Sequence, residues 1–359
     1  MTWQSIVRRT LEKYMIYIAF AALLAVFAVL LFDDGFLDPR NLLSIGRVTA
    51  TISIMAIASV FVLSVGYIDL SIGSVVALSA VVSAKATQEY GWVAGVLAGL
   101  LVGLVVGLVN GVIATKLRVP SFLVTLGMMQ IVSGTARSVS DLQVVPITDR
   151  TFLDLFGQGK VGPIESIYIW TVVVLVIGHL LYRKTTFGRH VLATGGNRLA
   201  AQYSGIRTDR VRIQAMVIGS VGAALAGLLQ AGRLGGARYD FGNSDLLIVL
   251  AAVVIGGTSM FGGKGSVVGA VIGSLLIGSL TNGLILMNTS VSNQMIAQGA
   301  IIVIAVSLGS REAASGVGVR RMFRRRGQAA DISGLKMNPP FNEPGSSESG
   351  ATHESPAPR

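Results

Sequence analysis

The chain has 359 residues, 52% of them hydrophobic and only 13% charged, with a mean hydropathy of +0.68. Soluble domains carry about 25% charged residues, so a soluble enzyme is excluded and an integral membrane protein is expected. The absence of cysteine removes disulfides and thiol chemistry, and the net charge of +11 is explained by Lys and Arg gathered beside apolar runs, so no nucleic-acid partner is expected.

The first apolar run, Tyr14–Phe32, follows Arg8 and Arg9 and resembles a signal peptide. Asp33 and Asp34 follow it with no small-x-small cleavage site, so it is expected to stay as an anchor. Further runs cover Val48–Gly66, Ser71–Gln88, Trp92–Ala114, Pro120–Val139, Ile164–Tyr182, Ile213–Gly232, Leu246–Met260, Ser266–Met287 and Ser292–Leu308. Each approaches the ~20 residues that cross the hydrocarbon core as an α-helix. The expected fold is therefore an all-α polytopic membrane protein of about ten transmembrane helices. Lys116, Arg118, the basic stretch from Arg183 to Arg212, Lys264 and the tail from Arg311 fall on one side, and basic loops stay cytoplasmic. Both termini are expected to be cytoplasmic.

Residues 1–13 form a short cytoplasmic start, 14–310 the membrane domain with a cytoplasmic loop at 183–212, and 311–359 a basic tail. That tail begins with Arg320-Arg321 and Arg324-Arg325-Arg326, which suit anionic inner-leaflet lipid. Its Ser/Pro/Gly/Glu-rich remainder is expected to be disordered.

Between the second and third runs lies G-Y-I-D-L-S-I-G-S, 66–74, the most informative stretch of the chain. A carboxylate among aliphatic residues is kept only where it faces protein or a water-filled path. Gly66 and Gly73 let a helix stop and restart, as at the broken helices where transporters handle cargo. Asp69, Ser71 and Gly73 are thus candidates for a translocation path or gate, with Asp69 and Ser71 alternatively capping the restarted helix. The polar residues Gln130 and Asn282 are further candidates, though each is better suited to bonding a neighbouring helix.

Glycines at 95, 99, 103, 107 and 111 share one face of the fourth run, and Gly265, Gly269 and Gly273 repeat the spacing. Close helix packing is the expectation. In the basic loop, Asn197 is placed to cap a short helix that Gly205 ends, a knob suited to docking a soluble partner. No His/Asp/Glu spacing resembles a metal site. Gly262-Gly263-Lys264-Gly265-Ser266 lacks the order of a phosphate loop, because glycine rather than Ser or Thr follows the lysine. Energy from ATP would have to enter through a partner.

Several motifs occur in one order between about Leu42 and Val306: I-D-L-S-I-G-S (68–74), R-V-P-S-F-L-V-T-L-G-M-M (118–129), T-T-F-G-R-H-V-L-A-T-G-G-N (185–197), A-A-Q-Y-S-G-I (200–206), A-A-V-V-I-G-G-T-S-M-F-G-G-K-G-S (251–266), G-S-L-T-N-G-L (278–284) and Q-M-I (294–296). The set resembles the permease subunits of bacterial ABC importers for ribose, xylose and related sugars. The resemblance implies a type II-like importer of the bacterial inner (plasma) membrane: a second permease (a homodimer, or a related chain), two cytoplasmic ATPase subunits that bind ATP and Mg, and a soluble solute-binding protein. It implies that this chain binds no cofactor and is itself no enzyme, and that Asn197, Ala200, Ala201 and Gly205 couple it to the ATPases. Two departures stand out: Leu199 occupies a position where the family usually has Glu, and Leu246 and Ile248 replace acidic residues, with Asp245 as a stand-in. The cargo expected is a monosaccharide or polyol; nucleosides, branched-chain amino acids or a furanose signal are alternatives, as is a stand-alone secondary carrier.

Overall fold

The computed structural model describes residues 3–300 and residue 303, with side chains from Ile16 onward apart from 301–302. The tail at 311–359, with its basic cluster, lies outside the described residues, as does the end of the last apolar run.

Long helices stand at the positions of the apolar runs: α1 (Trp3–Leu30), α2 (Pro39–Ser64), α3 (Ile72–Tyr90), α4 (Trp92–Lys116) and α5 (Ser121–Ser140) come first. The short β1 (Val145–Pro146), α6 (Arg150–Phe156), β2 (Lys160–Val161) and β3 (Ile164–Glu165) lead to α7 (Ser166–Lys184). Then follow α8 (Thr186–Gly196), α9 (Arg198–Tyr203), α10 (Thr208–Leu234), β4 (Gly236–Ala237), α11 (Asp245–Ile255) and α12 (Val267–Leu286), with a further helical stretch over 291–300. Among the described residues, five helices are long and apolar enough to cross a membrane: α2, α4, α7, α10 and α12. The eighth run shortens to an 11-residue helix, because Gly256 and Gly257 (φ +88°) end it in the glycine-rich turn before α12.

Helices α2, α3 and α10 form the centre, α3 being buried along most of its length. The apolar window of α2 is 83% buried and that of α10 67%, against 22% for α7. Lipid gives apolar helices no hydrophobic reason to associate, so close backbone approach must hold such a bundle. The glycine stripe of α4 does this: Gly95 and Gly99 meet α3 at Ser83 and Ser79, while Gly103, Gly107 and Gly111 meet α10 at Ser220, Val217 and Ile213. Gly269 and Gly273 of α12 seat likewise against Gly256 and Ala252.

At one end, β1 pairs antiparallel with β4 through Val145–Ala237 and Pro146–Gly236, and β2 pairs with β3. Phe156 stacks between Phe152 and Trp170, and Trp170 Nε1 donates to the Leu155 carbonyl at 2.9 Å. Arg47 of α2 forms a two-pronged ion pair with Glu165 at the start of α7. Arg47 holds the Glu165 carboxyl below its ordinary value, its hydrogen bond outweighing the opposing desolvation.

Candidate functional site

The break between α2 and α3 is built by glycine, serine and threonine. Gly66, at φ +80°, ends α2 with the Gly66 N–H on the Leu63 carbonyl and the Tyr67 N–H on the Val62 carbonyl. That bond pair is the Schellman arrangement, which requires the left-handed conformation glycine adopts freely. The next backbone donors find side chains of α5: Ile68 N–H reaches Ser121 Oγ at 3.0 Å and Leu70 N–H reaches Thr125 Oγ1 at 3.0 Å. Irregular backbone inside a membrane protein needs such substitutes for the lost helix bonds.

Asp69 sits at the centre of the break, 3% exposed. Its Oδ1 accepts from the Ser71 N–H at 2.8 Å and the Ser71 hydroxyl at 2.6 Å, and Asn110 Nδ2 of α4 donates to Ser71 Oγ at 2.9 Å. The capping expectation is therefore refined: Asp69 fixes the Ser71 backbone, whereas Ser71, itself helical in backbone and with its Oγ accepting from Asn110, makes no side-chain cap bond to α3. The Ser220 hydroxyl of α10 lies beside the Asp69 carboxyl, and among the described residues Asn110 Oδ1 is buried with no hydrogen-bond partner. Gly73 lies against the α10–α11 connection, where a Cβ would collide with the Gly242 carbonyl.

Asp69, Ser71 and Gly73 thus share one place, and the structure adds Asn110 and Ser220 to them. A lone Asn and a lone Ser within apolar helices gave the sequence reading little to select them, although Asn110 is the only amide in the α4 run. Gln130 and Asn282 lie elsewhere. Gln130 occupies the exposed side of α5, and Asn282 of α12 exchanges two 2.9 Å hydrogen bonds with Asn41 of α2.

The second site is the α8–α9 loop. Asn197 Oδ1 accepts from the Ala200 N–H at 3.1 Å, and Gly205 (φ +82°) follows the helix end with Gly205 N–H on Gln202 and Ile206 N–H on Ala201. Ala201 is buried as the footing of α9, while Ala200 is exposed. Leu199 is 65% and Tyr203 90% exposed, two large apolar side chains four residues apart on a protruding turn. The i, i+4 spacing could have found them; the sequence reading had treated Leu199 only as a departure. Arg198 Nη2 to Asp209 Oδ1 (2.9 Å) and Gln202 Nε2 to Thr208 Oγ1 (3.0 Å) tie α9 to the first turn of α10.

The glycines at 262–265 pack rather than bind phosphate. Gly263 N–H donates to the Ser64 carbonyl at 3.0 Å, and a Cβ on Gly265 would meet Tyr182 and Ser64, whose hydroxyls are 2.6 Å apart. Among the described residues, no group of three or more His, Asp or Glu converges as a metal site.

A bundle of apolar helices with a buried carboxylate at a helix break is the architecture of a polytopic membrane protein. Residues 41–306 match the family described as branched-chain amino acid transport system / permease component, and the chain belongs to that family. It is 38% identical over 291 residues to the ribose import permease protein of Bacillus subtilis, covering 80% of this chain and 90% of that one. It is 36% identical to the ribose import permease protein of Haemophilus influenzae, over 83% and 93% of the two chains. The L-arabinose ABC transporter permease protein of Azospirillum brasilense is 37% identical, over 79% and 84%. No solved structure matches.

Proposed function

We propose that this chain is the transmembrane permease of an ATP-driven importer that moves a monosaccharide of the ribose or arabinose type into the cytoplasm. The observation that carries the reading is the exposed Leu199–Tyr203 turn, capped at both ends and tied to α10 in a member of a permease family. At 27 residues α10 is about 40 Å long, enough to reach from that turn past Asp69 to the opposite end. A push on α9 would therefore be transmitted to the helix that flanks the α2–α3 break.

In this reading all ten apolar runs cross the plasma membrane, with both termini and the α9 end cytoplasmic. A second copy of the chain completes the channel, a solute-binding protein delivers the sugar at the opposite face, and separate ATPase subunits bind ATP and Mg. Asn197, Ala200, Ala201 and Gly205 shape the coupling turn, through which Leu199 and Tyr203 touch the ATPase. Asp69, Ser71 and Gly73 form the gate, with Asn110 and Ser220 at its edge, while Gln130 and Asn282, placed elsewhere, take no part in it. Once the break opens, Asp69 Oδ2 would accept from a sugar hydroxyl in place of its Ser220 neighbour.

The test is ATP-driven uptake of labelled ribose and arabinose by vesicles holding the permease with its ATPase and binding protein. Gly205→Val, which forces a β-branched residue to φ +82°, is expected to abolish uptake with the protein still in the membrane. Unchanged uptake would rule out the coupling turn, and uptake of amino acids alone would rule out the sugar.

A further inference from the structure

At the α9 end, a cavity of about 420 Å³ opens between the α2–α3 break, the end of α4 and the start of α5. Three arginines line it, Arg118, Arg198 and Arg212, together with Tyr67, Thr115 and Ser121. The gate and the coupling turn leave it unused.

Its charge is unbalanced. Asp209 is shared by Arg198 at 2.9 Å and Lys116 at 3.8 Å, and among the described residues neither Arg118 nor Arg212 has an ion pair. The Arg212 guanidinium lies 4.7 Å from the centre of the Tyr67 ring, which orients it without neutralising it. Among the described residues, the Nε atoms of Arg198 and Arg212 are both buried with no acceptor, and a stranded charged donor is costly. Arg118 adopts φ +58°, a left-handed backbone that non-glycine residues hold only where the surroundings impose it and that gathers at binding sites.

Guanidinium groups without a carboxylate partner, as at Arg118 and Arg212, suit a phosphate oxyanion, which takes paired N–H bonds. Beside the mouth, Leu117 is 69% and Phe122 47% exposed, an apolar rim where acyl chains can lie. Free phosphate would leave that rim bare. We propose that the cavity holds the headgroup phosphate of an anionic phospholipid, fixing the connection between α4 and α5 against the α2–α3 break.

The purified full chain in detergent is titrated with phosphatidylglycerol, phosphatidylcholine and inorganic phosphate, with native mass spectrometry and thermal unfolding as readouts. Phosphatidylglycerol is expected to remain bound and to raise the unfolding temperature. Arg118→Asn keeps a residue that tolerates the left-handed backbone, and it is expected to weaken binding about tenfold or more, the loss of a charge-assisted hydrogen bond. Arg212→Gln should do the same, while Arg150→Asn, at the exposed end of α6, should leave binding unchanged. Phosphatidylglycerol bound no better than phosphatidylcholine, or bound equally by Arg118→Asn, overturns the proposal. So does inorganic phosphate that displaces the lipid at the cavity, which would mark a soluble ligand. Should Arg212→Gln fail to fold, the exposed Arg118 decides. No step of this test depends on transport, so its failure leaves the importer reading untouched.

Discussion

Replacing Gly103 with alanine tests whether the α4 glycine stripe holds the bundle. The new Cβ would sit 2.6 Å from the Ser220 carbonyl oxygen and 2.7 Å from Ala224 Cβ, about 1 Å inside the contact distance of roughly 3.5–4.0 Å. The closest obstacle is backbone of another helix, so relief requires α4 and α10 to part. Overpacking of this kind costs about 1–3 kcal/mol, offset by the roughly 0.5–1 kcal/mol that alanine gains over glycine inside a helix. A net loss of about 1–2 kcal/mol corresponds to a fall of about 2–8 °C in unfolding temperature. Gly127→Ala on α5 supplies the comparison, because its Cβ meets nothing within 4 Å among the described residues and only the propensity gain remains. Unfolding followed by tryptophan fluorescence in one detergent should therefore move in opposite directions for the two variants. A Gly103→Ala protein as stable as Gly127→Ala would refute close packing as the force that joins α4 to α10.

Four other outcomes follow from named residues. Asp69→Ala should destabilise by about 2–3 kcal/mol, since it strands the buried Ser71 N–H and hydroxyl. Asp69→Asn, which keeps an acceptor, should cost less in the same melting assay, and equal losses would contradict the bonding described. The depressed Glu165 carboxyl contributes stability that is fully present above the ordinary carboxylate value of 4.5 and is lost as pH falls through its lowered folded value. The advantage of the wild type over Glu165→Gln, under about 1 kcal/mol for a partly exposed pair, should vanish in acid melts and persist at neutral pH. Tyr203→Ser should leave the melting temperature unchanged, because the side chain is 90% exposed, yet lower ATP-driven uptake. Asn197→Ala should lose about 1 kcal/mol of local capping, read as faster hydrogen exchange in α9.

Much of the site was legible because its signals are local. Asp69 among aliphatic residues, and Asn197 and Gly205 bracketing seven residues, depend on capping rules and on the cost of a buried charge, which act within a few residues of chain. Gln130 and Asn282 were poorer choices, since an amide in an apolar helix looks the same whether it faces a path, the bundle exterior or an asparagine on another helix, as Asn282 does.

The sequence by itself determined the membrane class, the helix positions, the break at Gly66–Ser71 and the capped turn at α9, because composition, apolar length and terminal signals are properties of consecutive residues. Only the tertiary structure decided which helix each glycine meets, that Asn110 and Ser220 flank Asp69, that Gly262–Gly265 pack on Ser64 and Tyr182, and that Arg118, Arg198 and Arg212 line one cavity. Those partners come from different helices far apart in the chain. Which faces meet is fixed by close packing of whole helices, a property that no single segment carries.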